Sequence, residues 1–216
     1  MSVSSTISAR EASVPIELPR ILGAVPPAFR LTGQRTLLRA PERRDWRQWA
    51  ELRSESRAFL TPWEPTWSTD ALTRGAFNRR LARYATDWRN DQGYSFLLFR
   101  LEDDALLGGI GLTNVRRGVA ESASFGYWIG ERHARQGYMT EGLQLALAFA
   151  FQRVRLHRAE AACLPHNNAS RRLLTNTGFR EEGYARAYLC IDGRWQDHVL
   201  YALLRDEWVP RGERAG

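Results

Sequence analysis

Residues 124–142 read Ser124-Phe125-Gly126-Tyr127-Trp128-Ile129-Gly130-Glu131-Arg132-His133-Ala134-Arg135-Gln136-Gly137-Tyr138-Met139-Thr140-Glu141-Gly142. The first part is aromatic and β-branched, which suits a pleated strand. The last part runs on into Leu143-Gln144-Leu145-Ala146-Leu147-Ala148-Phe149-Ala150-Phe151, too apolar for anything but a buried helix. Between them lies a short basic turn with Arg132, Arg135 and Gly137. A helix N-terminus at that place offers unpaired N–H donors and the positive end of a dipole. Gly137 lets the backbone come close to a ligand. Strand, basic turn and helix together point to an anionic phosphate group as the thing bound.

Two common phosphate-binding designs do not fit. The dinucleotide fingerprint needs three glycines at fixed spacing after a strand, and only Gly137 and Gly142 flank this turn. A Walker-type loop needs a lysine, and the chain contains none: every basic residue is arginine. The same absence removes Schiff-base lysine chemistry.

The length of 216 residues fits one domain with a sizeable core. Apolar content of 44% and charged content of 25% are ordinary for a soluble globule. The 31 basic and 24 acidic residues leave a net charge of +7, which favours acidic partners such as phosphate ligands or a ribosome or RNA surface. The two cysteines, Cys163 and Cys190, are too few for a disulfide scaffold and lack metal-type spacing. Both are expected reduced, in a cytoplasmic protein without a metal. No segment reaches transmembrane length, and residues 1–30 lack the charged start and apolar block of a signal peptide. Those residues, with Pro15, Pro19, Pro26 and Pro27, are expected to form a disordered or extended arm before a single domain over 31–216.

The patterning along the domain alternates between periods. Thr36 to Arg39 reads as a first strand. Helices follow over about 42–53, with Trp46, Trp49 and Leu52 on one face, and over about 69–90, with Leu72, Phe77, Leu81, Tyr84 and Trp88 at helical spacing. Strands are expected over 94–101, 106–115 and 122–130, joined by hairpin turns at Glu102-Asp103-Asp104 and Arg116-Arg117-Gly118. The buried helix spans about 140–153, a strand 158–164, and a short helix 168–177 closed by Gly178. Two last strands, near 185–191 and 195–204, are joined by Asp192-Gly193. The order β-α-α-β-β-β-α-β-α-β-β implies an α/β domain, with a mixed twisted central sheet flanked by helices.

This order, with the turn before the buried helix, resembles the GNAT N-acetyltransferase superfamily. The superfamily turn is usually Gln/Arg-x-x-Gly-x-Gly/Ala. Here it becomes Ala134-Arg135-Gln136-Gly137-Tyr138-Met139, where the central Gly fits and Ala134 and Met139 depart. Asn167-Asn168-Ala169-Ser170 followed by Gly178-Phe179 is similar to the Asn-x-x-Ser…Gly-Phe signature of the RimJ/RimL-type ribosomal-protein-alanine acetyltransferases. Three further pieces look like the RimJ type: Phe59-Leu60-Thr61-Pro62-Trp63-Glu64-Pro65, His157-Arg158, and the run from Gly183-Tyr184-Ala185 through Ile191-Asp192-Gly193-Arg194-Trp195-Gln196-Asp197-His198-Val199-Leu200. The resemblance covers about residues 33–209.

The resemblance implies acetyl-CoA as donor and a protein N-terminal amine as acceptor, on a ribosomal protein beginning with Ala or Ser, by direct attack on the thioester. The strand from Phe125 to Ile129 should run beside the pantetheine arm, with a backbone N–H of Trp128 or Ile129 polarising the thioester carbonyl. Amides of Arg135, Gln136, Gly137, Tyr138, Met139 and Thr140 should cradle the pyrophosphate, with Arg132 and Arg135 adding charge. Glu141 is expected to point away. Asn168 is expected to cap its helix. The family reading puts the Asn167 side chain on the pantetheine and the Ser170 hydroxyl near the sulfur. Many relatives use a tyrosine four residues before the Gly-Phe pair; here that position is Leu174, so Ser170 is the candidate donor to the leaving thiolate. Glu64 is the candidate base or amine anchor, and Leu189 falls where some relatives carry a glutamate. Trp63, Tyr188, Trp195 and His198 are candidates for a peptide groove.

Two other readings share parts of this evidence. A small-molecule acetyltransferase acting on an amino acid, polyamine or antibiotic would use the same cofactor half. A non-catalytic ribosome- or RNA-binding protein would use the positive charge. Monomer and homodimer both stay open.

Overall fold

Eight strands form one sheet in the order β1-β2-β3-β4-β5-β6-β8-β7. The computed structural model describes residues 29–209. The strands are β1 (Arg30–Thr32), β2 (Thr36–Arg39), β3 (Tyr94–Arg100), β4 (Leu106–Arg116), β5 (Ser122–Ile129), β6 (Arg158–Cys163), β7 (Arg180–Ile191) and β8 (Arg194–Leu204). The helices are α1 (Trp46–Glu55), α2 (Arg57–Leu60), α3 (Arg74–Arg89), α4 (Tyr138–Ala148) and α5 (Asn168–Asn176). The expected α/β class and the mixed sheet are what the chain forms. The edge strand β1 and the one-turn α2 are additions, both too short to leave a periodic signal. The arm expected over residues 1–30 lies outside the described residues except for Phe29 and Arg30. Phe29 packs edge-on against Trp88 and Phe149, with centroids 5.8 and 5.3 Å away.

The central strands are apolar on both faces because helices cover both. In β2, Leu37 enters the cluster with Trp49 and Leu52 of α1 and Phe77 of α3, and its neighbour Leu38 enters the other cluster with Leu143 and Leu147 of α4. In β3 the run Phe96-Leu97-Leu98-Phe99 divides the same way, Leu97 and Phe99 to one side and Phe96 and Leu98 to the other. A doubly covered strand reads as a continuous apolar run rather than an alternation. The hairpin turns fall where expected. At the β7–β8 turn Asp192 (φ 44°) and Gly193 (φ 75°) are both left-handed, as a two-residue primed turn requires.

β5 pairs with β4 in antiparallel register along its length, from Gly108↔Ile129 to Arg116↔Ser122. On its other edge it pairs in parallel with β6 only from Ser122↔Arg158 to Phe125↔Ala161. Beyond Phe125 the two strands part, while β6 stays paired with β8 on its opposite edge as far as Cys163↔Val199. The sheet therefore opens at Gly126–Ile129. A Cβ placed on Gly126 would meet nothing within 4 Å.

The buried helix starts two residues earlier than the pattern suggests, at Tyr138, with Gly137 as its N-cap residue in left-handed conformation. It ends in a π turn over Phe149–Arg153. Glu141, in its first turn, is 4% exposed. Its Oε1 accepts from the Arg35 N–H (2.8 Å), the Thr36 N–H (3.1 Å) and the Thr36 hydroxyl (3.0 Å). It points away from the turn, as expected, and ties α4 to the start of β2. Burial raises its pKa, but the donated hydrogen bonds from Arg35 and Thr36 outweigh that, and the net position is below the ordinary carboxylate value. A carboxyl with a lowered folded pKa stabilises fully above its unfolded pKa and stops doing so as pH falls through the folded value. Glu141→Gln should therefore cost about 1–3 kcal/mol at pH 6. The gap to the wild type should close below about pH 4. Urea titrations at pH 6 and pH 3 measure it, and a gap unchanged at pH 3 would refute the assignment.

Candidate active site

The turn between β5 and α4 is built from alternating backbone hands. Arg135 (φ 61°) and Gly137 (φ 82°) are both left-handed with Gln136 between them. Successive amides in such a turn converge on a concavity that suits an anion. The first intrahelical bond of α4 runs from Glu141 N–H to Gly137 C=O at 3.2 Å. The N–H groups of Tyr138, Met139 and Thr140 therefore precede the ladder and are available to a ligand. Residues 135–140 thus form one continuous amide cradle at a helix N-terminus.

The charge beside that cradle comes from a residue that the sequence pattern does not mark. Arg35 Nη2 donates to the Gln136 carbonyl at 3.2 Å, and its guanidinium lies 4.7 Å over the Tyr138 ring. Arg35 sits in the β1–β2 turn, about a hundred residues upstream, with no sequence signal linking it to Gly137. Arg132, by contrast, is paired with Glu55 at 3.0 Å and donates to His133 Nε2 at 3.1 Å. The Arg135 side chain is exposed.

At the opening of the sheet, β5 presents its backbone. Gly130 N–H bonds Leu107 C=O at 2.8 Å. Antiparallel pairs alternate, so Trp128 and Gly126 turn their amides to β4, while Tyr127 and Ile129 turn theirs to the edge that β6 has left. Of the two amides singled out in the sequence, Ile129 is the one aimed at the gap. The side chains divide in the opposite sense across the sheet. Trp128 packs with Trp49 and Phe77, and Tyr127 reaches α5, its hydroxyl 2.6 Å from Ser170 Oγ.

The first turn of α5 places Asn167 and Ser170. Asn167, not Asn168, is the N-cap: its Oδ1 accepts the Ser170 N–H at 3.0 Å. The helix begins at Asn168, so the side chain that can reach the third helical amide is the one before it. Leu174 is fully buried in the core, so that helical position carries no hydroxyl.

On the other face of the sheet a cavity of about 490 Å³ is floored by Gly109, Gly111 and Gly126 and walled by Trp49, Arg53, Glu64, Trp67, Arg80 and Tyr84. Glu64 is held in place by two donors. Arg53 Nη1 bonds Oε1 at 3.2 Å and Nη2 bonds Oε2, while Trp67 Nε1 donates to Oε2 at 2.8 Å. The Arg53 guanidinium is packed between indoles, 4.4 Å from the Trp67 ring and 4.8 Å from that of Trp128. The Glu64 loop is closed from outside by the β7–β8 turn, where Asp192 N–H bonds the Glu64 carbonyl at 3.0 Å. Trp63 lies tilted against His166 and Tyr188 edge-on to His198, and Trp195 is 70% exposed. The cavity walls come from Trp67, Tyr84 and Trp128 in place of those four. Trp67 could have been found, since it follows Glu64 by three residues in the same proline-rich loop.

Residues 35–180 match the family model described as an acetyltransferase (GNAT) domain. The chain belongs to the GNAT acetyltransferase family. It is an acetyl-CoA-dependent N-acetyltransferase. It is 35% identical over 184 residues to the [ribosomal protein uS5]-alanine N-acetyltransferase of Escherichia coli, covering 85% of this chain and 95% of that one. Among solved structures, Mycobacterium smegmatis RimJ in complex with CoA-disulfide is 32% identical with a TM-score of 0.76, over 80% of this chain and 83% of that one. The ribosomal-protein-S5-alanine acetyltransferase of Vibrio fischeri is 26% identical with a TM-score of 0.77, over 84% and 100%.

The residues present fit acetyl-CoA: an amide cradle with Arg35 for phosphates, an open strand edge for an amide-bearing arm, and a hydroxyl pair at the opening. A side chain at Gly137 would be strained at its positive φ, and its Cβ would lie 3.2 Å from Arg35 Nη2. Gly137→Val should raise KM for acetyl-CoA by about tenfold or more, a loss on the scale of one or two charge-assisted hydrogen bonds. Its KM for the acceptor should hold. Steady-state kinetics with each substrate varied would check this, and an unchanged acetyl-CoA KM would remove the turn from the site.

Proposed function

We propose that this enzyme acetylates the α-amine of a ribosomal protein beginning with Ala or Ser. The observation that carries the reading is the state of Glu64. A carboxylate offers about four acceptor sites. Arg53 takes two and Trp67 a third, which leaves one on Oε1 facing a small glycine-floored cavity. That is room for one further N–H donor, as an incoming amine supplies. A carboxylate so occupied serves as an anchor for the amine more readily than as a strong base. The relatives named as uS5-alanine acetyltransferases support the same acceptor class.

In this reading the acceptor amine attacks the thioester carbonyl, whose oxygen lies against the Ile129 N–H. The C–N bond forms, the C–S bond breaks with its electrons moving to sulfur, and the proton lost by nitrogen balances the one sulfur takes up. Ser170 offers its hydroxyl to the sulfur. Asn167, through its side-chain NH2, and the edge of β5 align the pantetheine arm. The net positive charge of the chain suits an acceptor presented near ribosomal RNA.

The test is a panel of peptides with Ala-, Ser- and other N-termini, together with spermidine and free amino acids, followed by thiol release and product mass. Acetylation at the α-amine of an Ala- or Ser-initiated peptide is expected. Turnover confined to a small amine would replace this reading with the small-molecule one. Glu64→Gln should raise KM for the active peptide by about tenfold or more, the worth of a charge-assisted hydrogen bond, and leave KM for acetyl-CoA unchanged.

A further inference from the structure

A serine that serves the leaving sulfur must do so with the one hydrogen its hydroxyl carries. Tyr127 Oη lies 2.6 Å from Ser170 Oγ, and either atom can be the donor in that contact. If Ser170 donates to Tyr127, its hydrogen is spent inside the protein and none is left for the sulfur. If Tyr127 donates, Ser170 Oγ is satisfied as an acceptor and its own hydrogen is left for a sulfur, either that of the ligand in the opening between β5 and β6 or the buried Cys163 thiol that also lies in hydrogen-bond reach of Ser170.

Chemistry and placement favour the second arrangement. A phenol is a stronger acid than an aliphatic alcohol and so the better donor of the two. Burial, the largest influence, holds the Tyr127 hydroxyl above the ordinary phenol range despite the Ser170 contact, so it keeps its proton at every working pH. The two groups come from the two walls of the opening: Tyr127 stands two residues beyond the last β5–β6 rung, and Ser170 lies in the first turn of α5. Ser170 is itself fixed at its backbone, whose N–H is bound to Asn167 Oδ1. Leu174, four residues further along α5, is fully buried and offers no hydroxyl to the opening.

Resting on the role given to Ser170 in the proposed function, we propose that Tyr127 is a positioning residue for acetyl transfer: its hydroxyl donates to Ser170 Oγ and thereby aims the single Ser170 hydrogen at the sulfur as the C–S bond breaks. Tyr127 undergoes no net proton change. The proton that sulfur gains is balanced by the one the acceptor nitrogen loses.

The experiment compares Tyr127→Phe, Ser170→Ala and the double variant in the full chain, with each substrate varied up to saturation and thermal melts alongside. Tyr127→Phe should lower kcat by about tenfold, less than the usual proton-donor effect because a thiolate is already a tolerable leaving group, and leave KM for acetyl-CoA within about twofold. Ser170→Ala should lower it as far, and the double variant no further, because both changes remove one function. A merely structural tyrosine predicts otherwise: its loss would add to that of Ser170. Wild-type kcat in Tyr127→Phe with a slow Ser170→Ala would overturn the Tyr127 role and leave the reading of Ser170 standing. Wild-type kcat in Ser170→Ala would overturn both. Should the Phe variant lose its cooperative melt, Tyr127→Met repeats the comparison at similar volume, read by the same additivity.

Discussion

The parting of β5 from β6 is the constraint on which the rest of this molecule depends. A parallel pair four rungs long is a poor structure by itself, and nothing in Gly126–Ile129 forbids continuing it. β6 pairs with β8 on its opposite edge, six rungs in register, and ends at Cys163, where the chain leaves for α5 through Leu164-Pro165. With β6 ended there, β5 is left with an open edge at Tyr127 and Ile129. An unpaired strand edge is normally a liability that a protein covers. Here α5 and the loop before it lie close enough to set Ser170 against Tyr127, but the gap between the strands stays open for an extended arm with amides of its own.

The phosphate end of the site depends on a second long-range tie. α4 is held to the sheet by apolar packing along its length, but that packing does not fix how its first turn meets β2. Glu141 does so, by accepting two backbone N–H groups and a hydroxyl from residues 35–36. The same contact sets Arg35 beside Gln136 and over Tyr138. A buried acid within a turn of bound phosphates would be unfavourable if it faced them. Turned inward, with three hydrogen bonds accepted at Oε1, it ties the first turn of α4 to β2 and leaves the turn's own amides to the ligand.

Much of this was legible in the sequence where physics acts locally. The period-2 and period-3.6 patterns gave the elements, Asp192-Gly193 and Gly178 marked real turns, and the basic turn at Gly137 proved to be the N-terminus of the most buried helix. The cap of α5 went to the neighbouring asparagine, because the choice between Asn167 and Asn168 turns on one residue of helix start. What could not be read were partners made by the fold. Arg35 meets Gln136 across 101 positions, and Tyr127 meets Ser170 across 43. Arg53 looked like one arginine among many on an amphipathic helix; only the return of the proline-rich loop makes it the mate of Glu64. The aromatic residues expected in the groove were chosen by type, whereas the aromatic residues that line the cavity at Glu64, among them Trp67, Tyr84 and Trp128, are brought there by the fold.

On the proposed reading, the fixed charges of the cavity at Glu64 bear on which amines it can serve. Attack requires a neutral nitrogen. A chain N-terminus has a pKa of about 7.7–8.0, whereas a lysine-type amine has one of about 10.4 and must give up roughly two and a half units more before it can react at neutral pH. The walls carry Arg53 and Arg80 against Glu64. Two cations and one anion disfavour a second positive charge and push an entering amine toward its neutral form. For an α-amine, already near its pKa, that push suffices without a strong base at Glu64 or at the Leu189 position. For a polyamine the same walls repel the remaining charges and leave most of the proton to be removed by a group that the cavity does not supply.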